Sequence, residues 1–387
     1  MGLAALCSKP FRKCGRIVWA AEINARYAET IRRNYRRFAS SIGQPHQVPK
    51  SCPPVDLSTA GARHLARQLR AQHGRIDLLL AGPPCQGFSL ANRRSRSHDN
   101  PANRLSLLVV SFARILEPKL LILENVPGIR TLRVDDGQGE TTTEVLQRRL
   151  RRLGYSSAVM LLDAAEYGVP QHRLRSFLIA ARTQDVLHHA ASLVPPPTHG
   201  PGRDRPFVTV DEAINDLPPI SNGNCRGTLD YAHEPRSSFQ QYIRRYSDGR
   251  VTDHLTSNHS PYVLQRYRRI PPGGNWTAIP SLMSNYTDRS RTHRNIYYRL
   301  HPTAPARTIG NFRKAMTIHP RQTRGLSLRE AARLQSIPDW FSFSDPSQPI
   351  TRGVAPGLNA YQQQIGNAVS FVLTQRLLSH VVEVLDL

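Results

Sequence analysis

Between residues 16 and 181 short apolar runs alternate with longer amphipathic stretches, and that alternation restricts the chain to a narrow set of folds. Runs at 17–21, 76–81, 120–123, 158–162 and 176–180 have the length and aliphatic content of buried strands, while 25–38, 60–72 and 105–116 carry apolar residues at helical spacing. A β-α-β-α order predicts an α/β fold, with a doubly wound, mostly parallel sheet of the Rossmann-like kind and ligands at the carboxyl ends of its strands. The regularity stops near residue 185. From there to about 323, Pro195 to Pro197, Pro201, Pro218, Pro219, Pro271, Pro272, Gly273 and Gly274 punctuate the chain and no long helical period appears, which predicts a smaller, irregular insertion with its own fold. Helical spacing returns at 327–337 and 361–384. The expected division is 1–184, 185–323 and 324–387, the last segment rejoining the first.

Charge says what such a chain meets. Lysine and arginine number 52 against 28 aspartates and glutamates, a formal excess of +24, and only five of the cations are lysines. Arginine makes planar, bidentate contacts to phosphates and guanine edges, so nucleic acid is the expected partner. Residues 241–325 carry fifteen lysines and arginines against three aspartates, half the total excess. These cations are interleaved with Tyr242, Tyr246, Tyr262, Tyr267, Trp276, Tyr286, Tyr297, Tyr298 and Phe312, a pattern suited to phosphates and bases together. Arg266, Arg268, Arg269, Arg313 and Lys314 are the DNA contacts expected there. A solvated basic face with structural aromatics is the alternative for any one of them. No apolar stretch approaches the roughly 18 residues of a membrane span, and no secretory signal opens the chain, so a cytoplasmic protein is expected. Five cysteines, at 7, 14, 52, 85 and 225, form no CxxC pair and no zinc spacing, so neither a disulfide scaffold nor a metal is expected.

Chemistry concentrates at the strand ends. Leu78-Leu79-Leu80-Ala81 runs into Gly82-Pro83-Pro84-Cys85, so a stiff turn delivers a thiol at the carboxyl end of a buried strand, a placement that suits a nucleophile. The next strand, 120–123, ends in Glu124-Asn125-Val126 and brings a carboxylate to the same edge. Gln171-His172-Arg173-Leu174-Arg175 then enters the run 176–180 with two arginines at alternate positions, sharing one face. Singly, these are an inert thiol, a solvated acid and an exposed strand start. Together they form a convergent set.

Pro83-Pro84-Cys85-Gln86, Glu124-Asn125-Val126, Gln171-x-Arg173-x-Arg175, Arg329-Glu330-Ala331-Ala332-Arg333-Leu334-Gln335 and Gln364-Ile365-Gly366-Asn367-Ala368-Val369 stand in the order of the motifs of the cytosine-C5 DNA methyltransferase family, which the chain resembles over about 16–183 and 300–380. The resemblance implies that the Cys85 thiolate adds to C6 of cytosine, that Glu124 contacts N3, and that Arg175, supported by Arg173, holds the O2 side. It implies a base flipped out of duplex DNA, with the region 185–323 recognising the target sequence and Arg93, Arg94 and Arg96 in a loop that closes on DNA. It implies S-adenosylmethionine as methyl donor, held by Glu22, Ile23, Asp56, Leu57, Pro83, Asn367 and Val369. A monomer is expected, together with a cognate restriction endonuclease as biological partner.

The first motif of that family, a strand and a Phe-x-Gly-x-Gly turn, is not in the sequence. Met1-Gly2-Leu3 resembles the end of that turn and the helix that follows it. The expectation drawn from this is a start placed downstream, a truncated gene or a separately supplied segment, with weakened cofactor binding. Two other readings stay open at this stage: a catalytically inactive DNA-binding relative, and an enzyme of the same chemistry acting on RNA.

Overall fold

The computed structural model describes residues 1–43, 48–49, 52–58, 61–84, 101–133, 139–182, 191–286, 295–345 and 357–386. In chain order its elements are α1 (Gly2–Leu6), α2 (Ala25–Ser41), α3 (Gly61–His73), β1 (Leu78–Ala81), α4 (Pro101–Leu116), β2 (Leu120–Asn125), α5 (Thr142–Arg151), β3 (Ser156–Asp163) and β4 (Leu174–Ala181). The insertion contributes α6 (Val210–Ile214), β5 (Thr228–Asp230), α7 (Ser238–Ile243), β6 (Arg250–Thr252) and α8 (Pro261–Arg269), and the chain ends with α9 (Leu328–Leu334), α10 (Gly357–Asn367) and α11 (Phe371–Val384).

The main sheet has the order β1-β2-β4-β3. β1 and β2 are parallel, from Leu78↔Leu120 to Ala81↔Leu123. β4 is antiparallel to both neighbours, with Asn125 opposite Ser176 on one side and Asp163 opposite Leu174 on the other. The α/β fold is present, but the described sheet is mixed where a mostly parallel one was expected. The reason lies in a connection length. Residues 164–173 join β3 to β4 through a single 3-10 turn, Ala164–Tyr167, and are too few for the crossover of a dozen or more that a parallel return requires. The strand expected at 17–21 is also corrected: this stretch forms no strand, and the residue after it, Glu22, makes one isolated bridge to Pro54, closed by Val55 N–H donating to the Glu22 carbonyl at 2.8 Å.

Both faces of the sheet are covered. β2 is buried along its whole length, and alternate residues leave it in opposite directions. Ile122, with Phe177 and Ile179 of β4, packs on Leu373, Leu377, Leu378 and Val381 of α11. Leu121 and Leu123 face Val109 and Ala113 of α4 and Leu146 and Leu150 of α5. Each such aliphatic side chain contributes roughly 1.5–3 kcal/mol by leaving water. α5, which apolar spacing did not mark, starts at a reciprocal cap between Thr141 and Glu144, a signature readable as Thr-x-x-Glu.

The insertion and the returning segment share one core. Val210, Ile214, Phe239, Ile243 and Val251 pack with Leu326, Leu328, Leu334 and Ile337. Buried ion pairs lock the same junction. Arg333 donates to both oxygens of Asp216 and, at 3.1 and 2.7 Å, to both of Asp339; Arg324 makes a bidentate pair with Glu330 at 2.8 and 2.6 Å. Arg329 lies 3.5 Å from Asp253. The Arg-Glu-x-x-Arg motif is thus a clamp between segments far apart in sequence.

Two histidines sit in this clamp. His254 lies 2.8 Å from Ser327 Oγ and 2.9 Å from the Pro218 carbonyl through its two ring nitrogens, and His319 Nε2 lies 3.5 Å from Glu330. Burial, which outweighs the pull of Glu330, depresses both to about 4. In the unfolded chain a histidine takes up its proton near 6.5, so between these values the unfolded state binds more protons. Stability is therefore complete above pH 6.5 and falls as pH drops toward 4, with a slope of up to about 1.4 kcal/mol per pH unit per histidine. Thermal midpoints measured from pH 7 to 5 are expected to decline steadily, before ordinary carboxylates titrate. A His254→Gln variant should show a shallower decline, and equal slopes for the two proteins would remove His254 from the effect.

Candidate active site

Because β1 and β2 run in parallel, their carboxyl ends reach the same edge, and because β4 runs against them its beginning arrives there too. Glu124 closes β2. Gly82, Pro83 and Pro84 leave β1 beside it: a Cβ built on Gly82 would stand 3.8 Å from Glu124 Oε2. Asn125, 1% exposed, donates from Nδ2 to the Pro83 carbonyl at 3.3 Å and accepts from Val126 N–H at 2.8 Å, so the turn is held to the end of β2. Arg175, one residue before the pair Asn125↔Ser176, places Nε 2.9 Å from Glu124 Oε1. Both side chains are about nine-tenths buried. Burial raises the Glu124 carboxyl above its ordinary range, while Arg175, Arg173 and the Met1 amino group pull the other way. A buried acid with a raised pKa, fixed by a guanidinium, is suited to holding and giving up a proton.

Of the expected catalytic set, Glu124 and Arg175 are brought together, and Arg173 is placed behind them. Its guanidinium, 1% exposed, donates to the carbonyls of Ile309 at 3.0 Å, Gly366 at 2.8 Å and Ala368 at 3.1 Å. It staples the start of β4 to the end of α10. Gln171 and Gln335 complete that staple. Gln171 donates to the Leu334 carbonyl at 2.9 Å and accepts from Ile309 N–H at 2.5 Å; Gln335 donates to the carbonyls of Ile309 and Ile365 at 3.1 and 3.2 Å. Gly366 meets Gly310 so closely that a Cβ would lie 2.5 Å from the Gly310 carbonyl oxygen. Sequence reading gave Asn125, Gln171 and Gln335 no role, although a polar residue inside an otherwise apolar strand or helix motif is the signal that marks a buried hydrogen-bond anchor. Cys85 lies outside the described residues, as do Arg93, Arg94 and Arg96.

Of the residues expected at the cofactor, Glu22, Ile23, Asp56 and Leu57 share one strip of chain. Glu22 accepts from Asn24 N–H at 2.9 Å and bridges to Pro54, which brings Asp56 and Leu57 onto the same strip of chain. Asp56 is exposed and accepts from the backbone N–H and hydroxyl of Ser58 at 2.8 and 2.6 Å. Leu57 packs against a cluster formed by α3 and α4. Ile23 is 64% exposed, unusual for an isoleucine and consistent with the wall of an open site. Tyr27 donates to Gln363 at 3.1 Å, tying α2 to α10, where Asn367 is exposed and Val369 half-buried.

The expected DNA contacts divide. Arg268, Arg269, Arg313 and Lys314 are exposed, and Arg313 also reaches Asn359. Arg266 is corrected: it is 2% exposed, donates to Tyr297 Oη at 2.6 Å and to the Leu282 carbonyl, and lies 4.2 Å over the Tyr262 ring. Tyr267, Tyr297 and Phe312 are likewise interior. Part of the arginine and aromatic interleaving therefore builds the insertion's own core. No helix among the described residues is long and apolar enough to cross a membrane.

The chain is 30% identical over 315 residues to the type II methyltransferase M.DdeI of Desulfomicrobium norvegicum, covering 79% of this chain and 72% of that protein. It is 29% identical to the type II methyltransferase M1.HphI of Haemophilus parahaemolyticus, over 94% of this chain and 80% of that one. The solved structure of an E. coli prophage protein assigned as a DNA modification methyltransferase superposes with a TM-score of 0.70 at 22% identity, covering all of this chain and 96% of that one, and so shares its fold. The model of the C-5 cytosine-specific DNA methylases matches residues 5–383, and the chain belongs to that enzyme family.

Proposed function

We propose that the protein transfers a methyl group from S-adenosylmethionine to C5 of a cytosine flipped out of a specific double-stranded DNA sequence, through a covalent Cys85 adduct at C6. The observation that carries this reading is the buried Glu124–Arg175 pair at the end of β2. Cytosine C5 is a weak nucleophile. Addition of the Cys85 thiolate at C6 converts the ring to an enamine whose C5 can attack an electrophilic methyl group, and the ring must be neutralised at N3 as the thiolate adds. Glu124, with its raised pKa, supplies that proton, and Arg175 holds the O2 side of the ring. Removal of the C5 proton after methylation expels Cys85 and restores the aromatic ring. C6 is inaccessible within a duplex, so the base leaves the stack first.

The cofactor residues fit their task. Glu22 and Asp56 offer carboxylates for hydroxyl and amino groups, and exposed Ile23, with Leu57 and Val369, offers apolar surface for a purine; Pro83 and Asn367 would complete the walls. S-adenosylmethionine held there supplies a sulfonium-activated methyl group. The insertion at 185–323 reads the target sequence in this proposal. The protein acts as a cytoplasmic monomer, and the type II names of its relatives suggest a cognate endonuclease.

The test is incorporation of labelled methyl groups into mixed-sequence duplex DNA, mapped by bisulfite sequencing. A new methylated cytosine context is expected, and Cys85→Ala should bring incorporation below detection. Incorporation by Cys85→Ala at an unchanged rate would overturn the covalent route. DNA retention with no incorporation by either protein would favour a binding protein.

A further inference from the structure

The arginines of the clamp and the staple are bonded to carboxylates and carbonyls, but Arg376 is not. It stands half-buried on α11, and its Nε is shielded from solvent with no hydrogen-bond partner. Among the described residues its guanidinium makes no hydrogen bond and no ion pair. A guanidinium held this way loses hydration and gains nothing in return, unless an anion meets it from outside the chain.

Two further arginines converge on it. His380, one turn after Arg376 on the same face of α11, donates from Nε2 to the Ser192 carbonyl at 2.6 Å, so the chain from 192 onward runs along this helix. That stretch ends at the Glu166 carbonyl, which accepts from Thr198 N–H at 2.9 Å and His199 N–H at 3.0 Å. A turn then closes with Gly200 N–H donating to the Arg205 carbonyl at 2.8 Å, and the bridge between His199 and Arg205 returns exposed Arg205 to the same place. On the other side, the Gln375 side chain bonds the Tyr242 hydroxyl of α7, and Arg245 is exposed just past the end of that helix.

The electrostatics agree with this placement. Burial and then the charge of Arg205 lower Arg376 below its ordinary range, with Tyr242 pulling the other way. Burial raises the Tyr242 hydroxyl, against Arg245 and Arg376. Arg376 and Arg205 add to burial in depressing His199, opposed by Glu212, whose carboxylate already accepts from Thr209 N–H and Oγ1 at 2.8 Å each. Among the described residues Asp204 forms no ion pair with its neighbour Arg205, and Asp248 is engaged by Arg37 at 3.9 Å. Like charges are thus gathered without an acid to offset them. They are carried on α7, α11 and a turn, and packed elements stand about 8–10 Å apart. One small anion cannot meet all three, whereas a chain of repeated phosphates can, and guanidiniums suit phosphate oxygens.

We infer that Arg205, Arg376 and Arg245 form a track for the phosphodiester backbone of duplex DNA, separate from the Glu124–Arg175 edge and from the exposed cations Arg268, Arg269, Arg313 and Lys314. Contacts to the backbone carry no sequence information; they add affinity and fix how the duplex lies. The inference rests on duplex DNA being the substrate.

Fluorescence anisotropy of a labelled mixed-sequence duplex, titrated with the full chain over a range of salt concentrations, tests this. Combining Arg205→Gln, Arg245→Gln and Arg376→Gln is expected to weaken binding at least about tenfold and to lower the slope of log affinity against log salt by about 2 to 3. Arg245→Gln alone, at an exposed position that leaves folding intact, should lower it by about 1. The triple lysine variant keeps the charges and should keep the slope. Calorimetric affinity for S-adenosylhomocysteine should be the same in all these proteins. The loss should also be equal on duplexes with and without the methylated sequence context. Unchanged affinity and slope in the triple glutamine variant would overturn the track while leaving the proposed function standing. A loss confined to the duplex with the target context would assign these residues to base reading instead. Retained DNA affinity with lost binding of poly-glutamate would assign them to an acidic protein partner, and a wild-type chain that binds no duplex would overturn the track and the proposed function together.

Discussion

Glu124→Gln is expected to lower the rate of methyl transfer by about 10²- to 10⁴-fold, the range in which removal of a positioned proton donor falls. Glutamine keeps the size of the side chain and can still accept from Arg175 Nε, so packing at the end of β2 should survive. What is lost is an ionisable proton at the atom facing the ring. The two proteins should also differ in their pH dependence. In the proposed mechanism the wild-type carboxyl acts in its protonated form, so the rate is expected to fall as pH rises through a value set above the ordinary glutamate range by burial. The variant should lack that limb. Single-turnover rates across pH would measure both effects, and a variant rate within a few-fold of wild type with the limb intact would remove Glu124 from proton transfer. Arg175→Lys should also be impaired, because lysine has one ammonium nitrogen, whereas Arg175 meets the acid through Nε and the Leu174 carbonyl through Nη1 at 2.7 Å.

Arg333→Met is expected to destabilise the protein by about 3–5 kcal/mol, the loss typical when one partner of a buried ion pair is removed. The substitution is apolar and of similar length, so the main effect is electrostatic. It would strip two carboxylates of their shared cation in a place where both are almost wholly shielded from water. Although burial alone would raise Asp339, Arg333 and Arg329 hold it below its ordinary range, and Tyr231 donates to it at 2.7 Å. Adding Asp216→Asn to Arg333→Met should recover part of the loss by removing one of the two under-compensated charges, since Arg244 and Arg329 remain only at 3.5 and 3.6 Å from Asp216 and Asp339. Urea unfolding of the wild type, each single variant and the double variant gives the coupling directly. Purely additive losses would show that Arg333 and Asp216 do not act as a pair. The expected structural consequence is a loosened junction between the insertion and the returning segment, with the sheet intact.

How much of this was legible in the sequence varies with the kind of interaction. β2 and β4 were visible because buried strands read as aliphatic runs, β1 because even a half-buried strand can be wholly aliphatic, and the turn at Gly82-Pro83-Pro84 was visible because glycine and proline fix backbone geometry. The reversal of β4 was recorded in the shortness of 164–173, a feature that pattern reading passes over when it counts strands and not connections. The run at 17–21 looked like a strand because its composition is that of one, but composition does not specify a partner. The meeting of Glu124 with Arg175 could be expected only from the order of motifs; their register came from antiparallel pairing. Arg266 was misjudged because an arginine among tyrosines has the same composition whether it reaches for a phosphate or is stacked in a core. Asn125, Gln171 and Arg173 act on backbone carbonyls, and no sequence pattern announces which carbonyl will be near.

The interior arginines change what the formal charge means. Arg173, Arg266, Arg299, Arg324, Arg329 and Arg333 are buried and already bonded to carbonyls, hydroxyls or carboxylates. None of them can displace condensed counterions from a duplex. The salt sensitivity of DNA binding, which scales with the number of phosphates neutralised, is therefore governed by the surface cations alone. A linear plot of log affinity against log salt should give a slope well below what an excess of +24 suggests, and substituting any of these six residues should alter folding without altering that slope.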